Sequence, residues 1–169
     1  MAVVNTKSTL VTNADASQQS LASQLVDGGR LREKIATLET VSGNSSTSTY
    51  RFFRVHSSHR VSKLILDSDD IGTTTIADFG LYDIAANGGA VVDADFFASA
   101  VSLKDGALAN TDITHESGVV DLPNYGKALW EQLGLSADPK KFYDVAATLT
   151  ADADAAGTIT LRLFYVDGN

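Results

Sequence analysis

The chain has 169 residues, 44% of them hydrophobic, with seven Phe, five Tyr and one Trp. That is enough for one domain with its own core, and no apolar run reaches the length of a membrane span. A net charge of −8 excludes a general nucleic-acid binder, which needs clustered Lys and Arg, and the lack of Cys excludes a disulfide framework, a thiolate metal site and a Cys nucleophile. The charge is uneven: residues 1–63 hold eight basic and four acidic residues, +4, and residues 64–169 hold five basic and seventeen acidic, −12. Such a split suits either a merely acidic surface or a subunit with a basic edge and an acidic face.

The opening MAVVNTKSTL lacks the layout of a secretory leader. Residues 1–29 are rich in Ser, Thr, Asn, Gln and Ala and hold no aromatic residue, so they bury little by themselves. They read as an extended N-terminal arm closed by Gly28-Gly29, with a weak helix over Ser17–Val26. The remainder, 30–169, reads as one β-sandwich domain with an insertion at 104–141.

From Arg30 the texture changes. RLREKIATLETV and the aromatic TYRFFRV read as strands. Ser57-Ser58 reads as a hairpin tip leading into RVSKLILD. IADFGLYDI follows, with Phe79 and Leu81 on one face. The segment after Asn87-Gly88-Gly89 turns over a ridge carrying Phe96 and Phe97. In NYGKALWEQLG, Asn124 is the predicted N-cap, Leu129, Trp130 and Leu133 keep helical spacing, and Gly134 stands where a C-cap glycine would. This predicts one short helix near 124–133.

The last two strands alternate most cleanly. Tyr143, Val145, Ala147 and Leu149 point one way, and Ile159, Leu161, Leu163 and Tyr165 do likewise, so the pair reads as a β-hairpin. Six to eight strands with turns between them predict a mostly β, antiparallel β-sandwich of jelly-roll type.

Two stretches share the opening of a calcium loop: Asp67, Asp69 and Gly72, and Asp152, Asp154 and Gly157. Position five is Ile71 in one and Ala156 in the other, and neither ends in Glu at position twelve. Asp and Gly suit turns without any ion. The turn reading is therefore preferred, with Asp67, Asp69 and Asp70 kept as the weaker metal candidates. His56 and His59 flank Ser57-Ser58 among Arg51, Arg54, Arg60 and Lys63, but no third metal ligand is identifiable. No Gly-x-Ser-x-Gly elbow and no phosphate loop occurs, and Trp130 fits an apolar helix stripe better than a sugar platform. No catalytic residue and no cofactor is expected.

The block Ala77 to Leu103, ADFGLYDIAANGGAVVDADFFASAVSL, resembles a family of tailed-bacteriophage virion proteins. That family follows a Gly-Leu-Tyr strand with a Gly-Gly-Ala-Val-Val-Asp-Ala-Asp-x-Phe-Ala-Ser-Ala-Val-Ser segment. The polar arm, GGRLREKIATL and the final strand pair are similar too, whereas 107–141 is not. The resemblance implies a small structural protein encoded near the major capsid protein: a capsid decoration, or cement, protein of jelly-roll type, on the outer capsid surface and assembled in the host cytoplasm. It brings no catalytic residues. The implied partners are the major capsid protein and copies of the chain itself, as dimer or trimer, with no direct nucleic acid and no membrane. A neck, tail or vertex-fibre protein and a host-glycan-binding module are the alternatives. The expected contact residues are Val3, Val4 and Leu10 in the arm, Arg51, Arg54, His56, His59 and Arg60 around the supposed hairpin, and Trp130 in the insertion.

Overall fold

The computed structural model describes residues 4–167. It holds eight strands: β1 (Leu31–Thr40), β2 (Thr49–His56), β3 (Arg60–Ser68), β4 (Ile76–Asp83), β5 (Val91–Ser102), β6 (Leu108–Asp112), β7 (Phe142–Leu149) and β8 (Gly157–Val166). One sheet has the order β1-β8-β3-β6 and the other β2-β7-β4-β5, and every paired neighbour is antiparallel. The first strand thus pairs with the eighth, the second with the seventh, the third with the sixth and the fourth with the fifth. This nesting is a jelly roll: one long antiparallel ribbon rolled up until its successive segments fall in opposite sheets.

Nesting corrects two readings of the sequence. Thr49–His56 and Arg60–Ser68 do not form a hairpin, because β2 pairs with β7 while β3 pairs with β8 and β6. Nor do the last two strands, since β7 and β8 lie in different sheets. The physical reason is the same for both. Two strands that face a common core from opposite sheets show the same period-two alternation as two hairpin partners. β4 and β5 are the consecutive strands that share a sheet.

The core lies between the sheets. From β8 come Ile159, Leu161 and Leu163, from β7 Val145, Ala147 and Leu149, from β3 Leu64 and Leu66, and from β4 Phe79 and Leu81, all at 0% exposure. Each large side chain so removed from water contributes about 1.5–3 kcal/mol. Phe96, Phe97 and Ala98 are consecutive yet all buried, because the β4–β5 register shifts three times and the bulges turn neighbours inward.

The helices are shorter than the sequence suggests. α1 spans Thr9–Ala14 and α2 spans Leu129–Gln132. Asn124 does not cap α2; it ends a separate 3-10 turn, Leu122–Asn124, whose Pro breaks the run. Ala128 is the N-cap residue of α2, and its N–H is bound by Glu131 Oε2 at 3.0 Å. Gly134 follows the helix at φ +70°, as expected of a C-terminal glycine. β6 lies inside the 104–141 segment, so part of that segment is a sheet edge.

At Gly80 the backbone of β5 crosses closely over β4. A Cβ there would stand 2.1 Å from the Asp93 carbonyl oxygen and 2.4 Å from the Ala94 carbonyl. Gly80→Ala is expected to destabilise the fold by about 1–3 kcal/mol through forced backbone movement. A chemical-denaturation midpoint equal to that of the unaltered chain would show that the strands are not so close.

Candidate assembly surfaces

Alternation of sheets gathers the loops into two clusters. At one end meet the β1–β2, β3–β4, β5–β6 and β7–β8 loops, tied by backbone hydrogen bonds. Gly43 N–H donates to the Ala153 carbonyl at 2.7 Å, Ala153 N–H to Asn44 at 2.9 Å, Ile71 N–H to Leu103 at 2.9 Å and Asp105 N–H to Gly72 at 3.1 Å. Both Asp-x-Asp stretches lie here, and they hold each other. Asp154 accepts from Thr73 Oγ1 at 2.7 Å, from Thr73 N–H at 3.0 Å and from Thr74 N–H at 3.3 Å. A Cβ on Gly72 would meet Asp154 Oδ1 at 2.1 Å, so Gly72 leaves the space that this carboxylate occupies. Bonds from the Thr73 hydroxyl and N–H hold the Asp154 carboxyl down at a pKa of about 2. Asp152 caps Ser46 N–H at 2.6 Å and Asp69 caps Thr158 N–H at 3.0 Å.

The remaining metal candidates have other surroundings. Asp67 is bound by Arg162 at 3.0 Å and by Asn110 N–H at 2.8 Å, and Asp70 lies exposed. Among the described residues, no three of His, Asp and Glu stand close enough together to hold a metal ion. In Asp67, Asp69, Asp152 and Asp154 at least one carboxylate oxygen serves a backbone amide, as Asp does in turns. Loop residues Asp69, Asp70, Asp105, Asp152 and Asp154 are all exposed, which makes this end an acidic surface.

The other end holds the β2–β3 corner. It is no solvated tip: Ser57 is 0% exposed and His59 8%. The 113–141 segment clamps it. Trp130 N–H donates to the Ser57 carbonyl at 3.1 Å, Leu129 N–H to the His59 carbonyl at 2.9 Å and Ser57 N–H to the Lys141 carbonyl at 2.9 Å. The Ser57 hydroxyl donates to Asp138 Oδ1. Asp138 and Lys141 are partners of Ser57 that sequence patterning did not single out, because they lie far from it along the chain and are of ordinary loop types.

His59 stacks on Tyr165 at 4.6 Å between ring centroids and reaches Asp167 at 3.4 Å. Burial lowers its pKa, with Asp167 opposing and with His56, Lys34 and Arg32 adding to the lowering. His56 packs edge-on to Phe142 and bonds Ser58 through Nδ1 at 2.8 Å. Arg51 and Arg54 share Asp144 at 2.9 and 3.2 Å on the outer face of the second sheet. Trp130 is half-buried in α2.

The arm is built differently from the body. α1 starts at Ser8, whose Oγ accepts from Val11 N–H at 3.3 Å, and buries no residue. The helix lies over Thr9–Ala14 rather than Ser17–Val26, where Ser and Gln crowd the run and no cap precedes an apolar stripe. Val4 is 77% exposed, Leu21 94%, and Leu10 and Val11 are also open to solvent. The arm returns to the body at the corner end, where Arg60 Nε donates to the Leu25 carbonyl at 2.5 Å and Gly29 fits against Val166. Val3 lies outside the described residues.

These groups set a pH dependence. His59 and His115 both have pKa values lowered by burial from the ordinary 6.5, so the unfolded chain binds their protons more readily. Their contribution to stability is full above pH 6.5 and is lost as pH falls from there through the lowered folded values. Asp154 adds a second window, in which stability is lost between pH 3.8 and about 2. Denaturation midpoints should therefore fall in two stages on acidification. His59→Gln should flatten the first and Asp154→Asn the second; unchanged profiles would contradict both assignments.

No family model matches the sequence, and no curated protein does. Among solved structures, the chain is similar over 98% of its length to a chain of the cyanophage Pam1 capsid asymmetric unit, of which 99% is covered, with a TM-score of 0.51 and 14% identical residues. It is also similar to a chain of the acidic stable capsid structure of Helicobacter pylori bacteriophage KHP30, over 83% of this chain and 94% of that one, with a TM-score of 0.40 and 17% identity. At 14% identity the likeness to the cyanophage chain is one of fold, and it runs from one end of both chains to the other.

Proposed function

We propose that the chain is a non-enzymatic virion structural protein of a tailed bacteriophage, and within that class a decoration protein that binds the outer surface of the head shell. The supporting observation is the end-to-end fold likeness to a chain of a phage capsid asymmetric unit, arm included. A match of 98% against 99% pairs two chains of nearly equal length along nearly all of both. The arm supports the same reading. Its apolar side chains Val4, Leu10, Val11 and Leu21 gain nothing from exposure, and contact with neighbouring subunits would bury them.

On this reading the work is mechanical. Interface added to an assembled shell stabilises it by mass action, because the assembled shell alone offers the site. The major shell protein and other copies of the chain are the partners, with the arm residues Val4 and Leu10 and the 107–141 segment as contact regions.

Two measurements test this. Quantitative mass spectrometry of purified particles should find the protein at hundreds of copies, in fixed ratio to the major shell protein; a few copies per particle would move it to a neck, tail or vertex, and absence would end the virion reading. A chain lacking residues 1–29 should keep the circular dichroism of the sandwich and lose at least tenfold in affinity for undecorated heads. Undiminished binding would remove the arm from the contact set.

A further inference from the structure

A sandwich of two sheets has four edge strands, here β1, β6, β2 and β5. Each edge offers unpaired N–H and C=O groups to any extended chain that reaches it, and proteins blunt such edges with bulges, short strands or covered backbone. Three of the four are blunted. β6 has five residues, its register to β3 shifts between Leu66 and Ser68, and the N–H of Asn110, at φ +53°, is taken by Asp67 Oδ1 at 2.8 Å. In β5 the register shifts three times, and the N–H of Ala100, at φ +52°, is taken by Asp78 Oδ1 at 2.7 Å. β2 is bulged between Arg51 and Phe53.

β1 is not blunted. Its ten residues pair with β8 in unbroken register, Leu31 with Val166 through Thr40 with Gly157. Ile35 is 61% exposed and Leu31 57%. Three of its charged side chains are tied back to their own chain: Arg32 to Asp167 at 3.2 Å, Glu39 to the Thr158 hydroxyl at 3.0 Å, and Lys34 to the Arg54 carbonyl and the face of Tyr165. Glu33 remains on the outer face.

We propose that β1 is a pairing edge and that its occupant is β1 of a second copy, antiparallel about a two-fold axis through Ile35. Charge and overlap together select the register: a pairing centred on Thr37 also opposes no like charges, but it pairs β1 only from Lys34 to Thr40, whereas one centred on Ile35 pairs it from Leu31 to Glu39. Such an axis, perpendicular to the sheet, keeps outer side chains on the outer face, so it passes through a residue rather than between two. Centred on Ala36, the pairing sets Glu33 opposite Glu39 of the other copy, twice over. Centred on Lys34, it sets lysine against lysine. Centred on Ile35, it sets Glu33 against Thr37, Leu31 against Glu39 and Ile35 against itself, with no like charges opposed. Like charges directly opposite destabilise a strand pair, and β-branched apolar pairs stabilise it. The two four-stranded sheets then become one continuous sheet.

This deepens the self-association within the proposed function, but it rests on β1 alone and is tested without particles. The chain has no Cys, so Ile35→Cys supplies its one thiol. Facing Cα atoms of an antiparallel pair lie about 4.5–5.5 Å apart, within the span of a disulfide. Mild oxidation of the purified full chain should give a covalent dimer on a non-reducing denaturing gel. Thr37→Cys, whose own mate would lie about 14 Å away along the strands, should give at least tenfold less. Ile35→Lys, at an exposed position, should keep the unaltered circular dichroism and lose the dimer in sedimentation equilibrium. Equal cross-linking of the two Cys variants, or an unaltered chain that sediments as a monomer at several hundred micromolar, would overturn the proposal, whatever the particle measurements show.

Discussion

Nested antiparallel pairing is the constraint on which the rest of this molecule depends. Because the ribbon closes first strand to eighth and second to seventh, nearly every connection must cross from one sheet to the other. Crossing loops carry backbone groups over the ends of the core, where no ladder can satisfy them, and a buried unpaired group costs about 1–3 kcal/mol. The two ends solve this in different ways. At the acidic end, short loops bond one another and Asp side chains fill the gaps, as Asp154 does for Thr73 and Thr74. At the corner end, the long 113–141 segment supplies donors and acceptors to Ser57 and His59.

The same constraint explains how the polar residues came to be placed. Asp-x-Asp-x-x-Gly occurs twice because two adjacent crossings need an acceptor of short reach beside a residue without a side chain. Gly72 and Asp154 show this directly, since the one vacates the volume that the other fills. The acidic character of this end is then a by-product of loop closure, and it leaves Asp70, which makes no loop bond, as surface charge.

The strand content, the sandwich class and the inward-facing residues of β7 and β8 were legible in the sequence, because burial on one face writes itself as alternation. Strand pairing was not. Alternation records which face is buried but not which sheet the strand belongs to, so β2–β3 and β7–β8 read as hairpins when both cross the sandwich. The short helix expected over 124–133 is confined to Leu129–Gln132 for a local reason. Pro123 and Gly126 break the run, and the first helical amides are bound by the corner carbonyls of Ser57 and His59 rather than by a preceding turn. For the site, the acidic loops were found as turns, but their mutual contact is a product of topology that no spacing along the chain encodes. The basic cluster at 51–60 was visible, but neither the burial of His59 against Tyr165 nor the pairing of Arg51 and Arg54 with Asp144 was, since these partners enter from distant strands.

Arm and acidic loops lie at opposite ends of the roll. Leu25 and Gly29 hold the arm to Arg60 and Val166 at the corner end, and in the arm Val4 and Leu21 are largely open to solvent. At the acidic end Val41 is exposed, and several carboxylates are already bonded within the chain. Burying that end against a partner would require stripping water from Asp69, Asp70 and Asp105, whereas burying Val4, Leu10, Val11 and Leu21 of the arm would remove apolar surface from water. Removing water therefore costs less over the exposed apolar side chains of the arm than over the carboxylates of the acidic loops, and the fold sets these two surfaces apart.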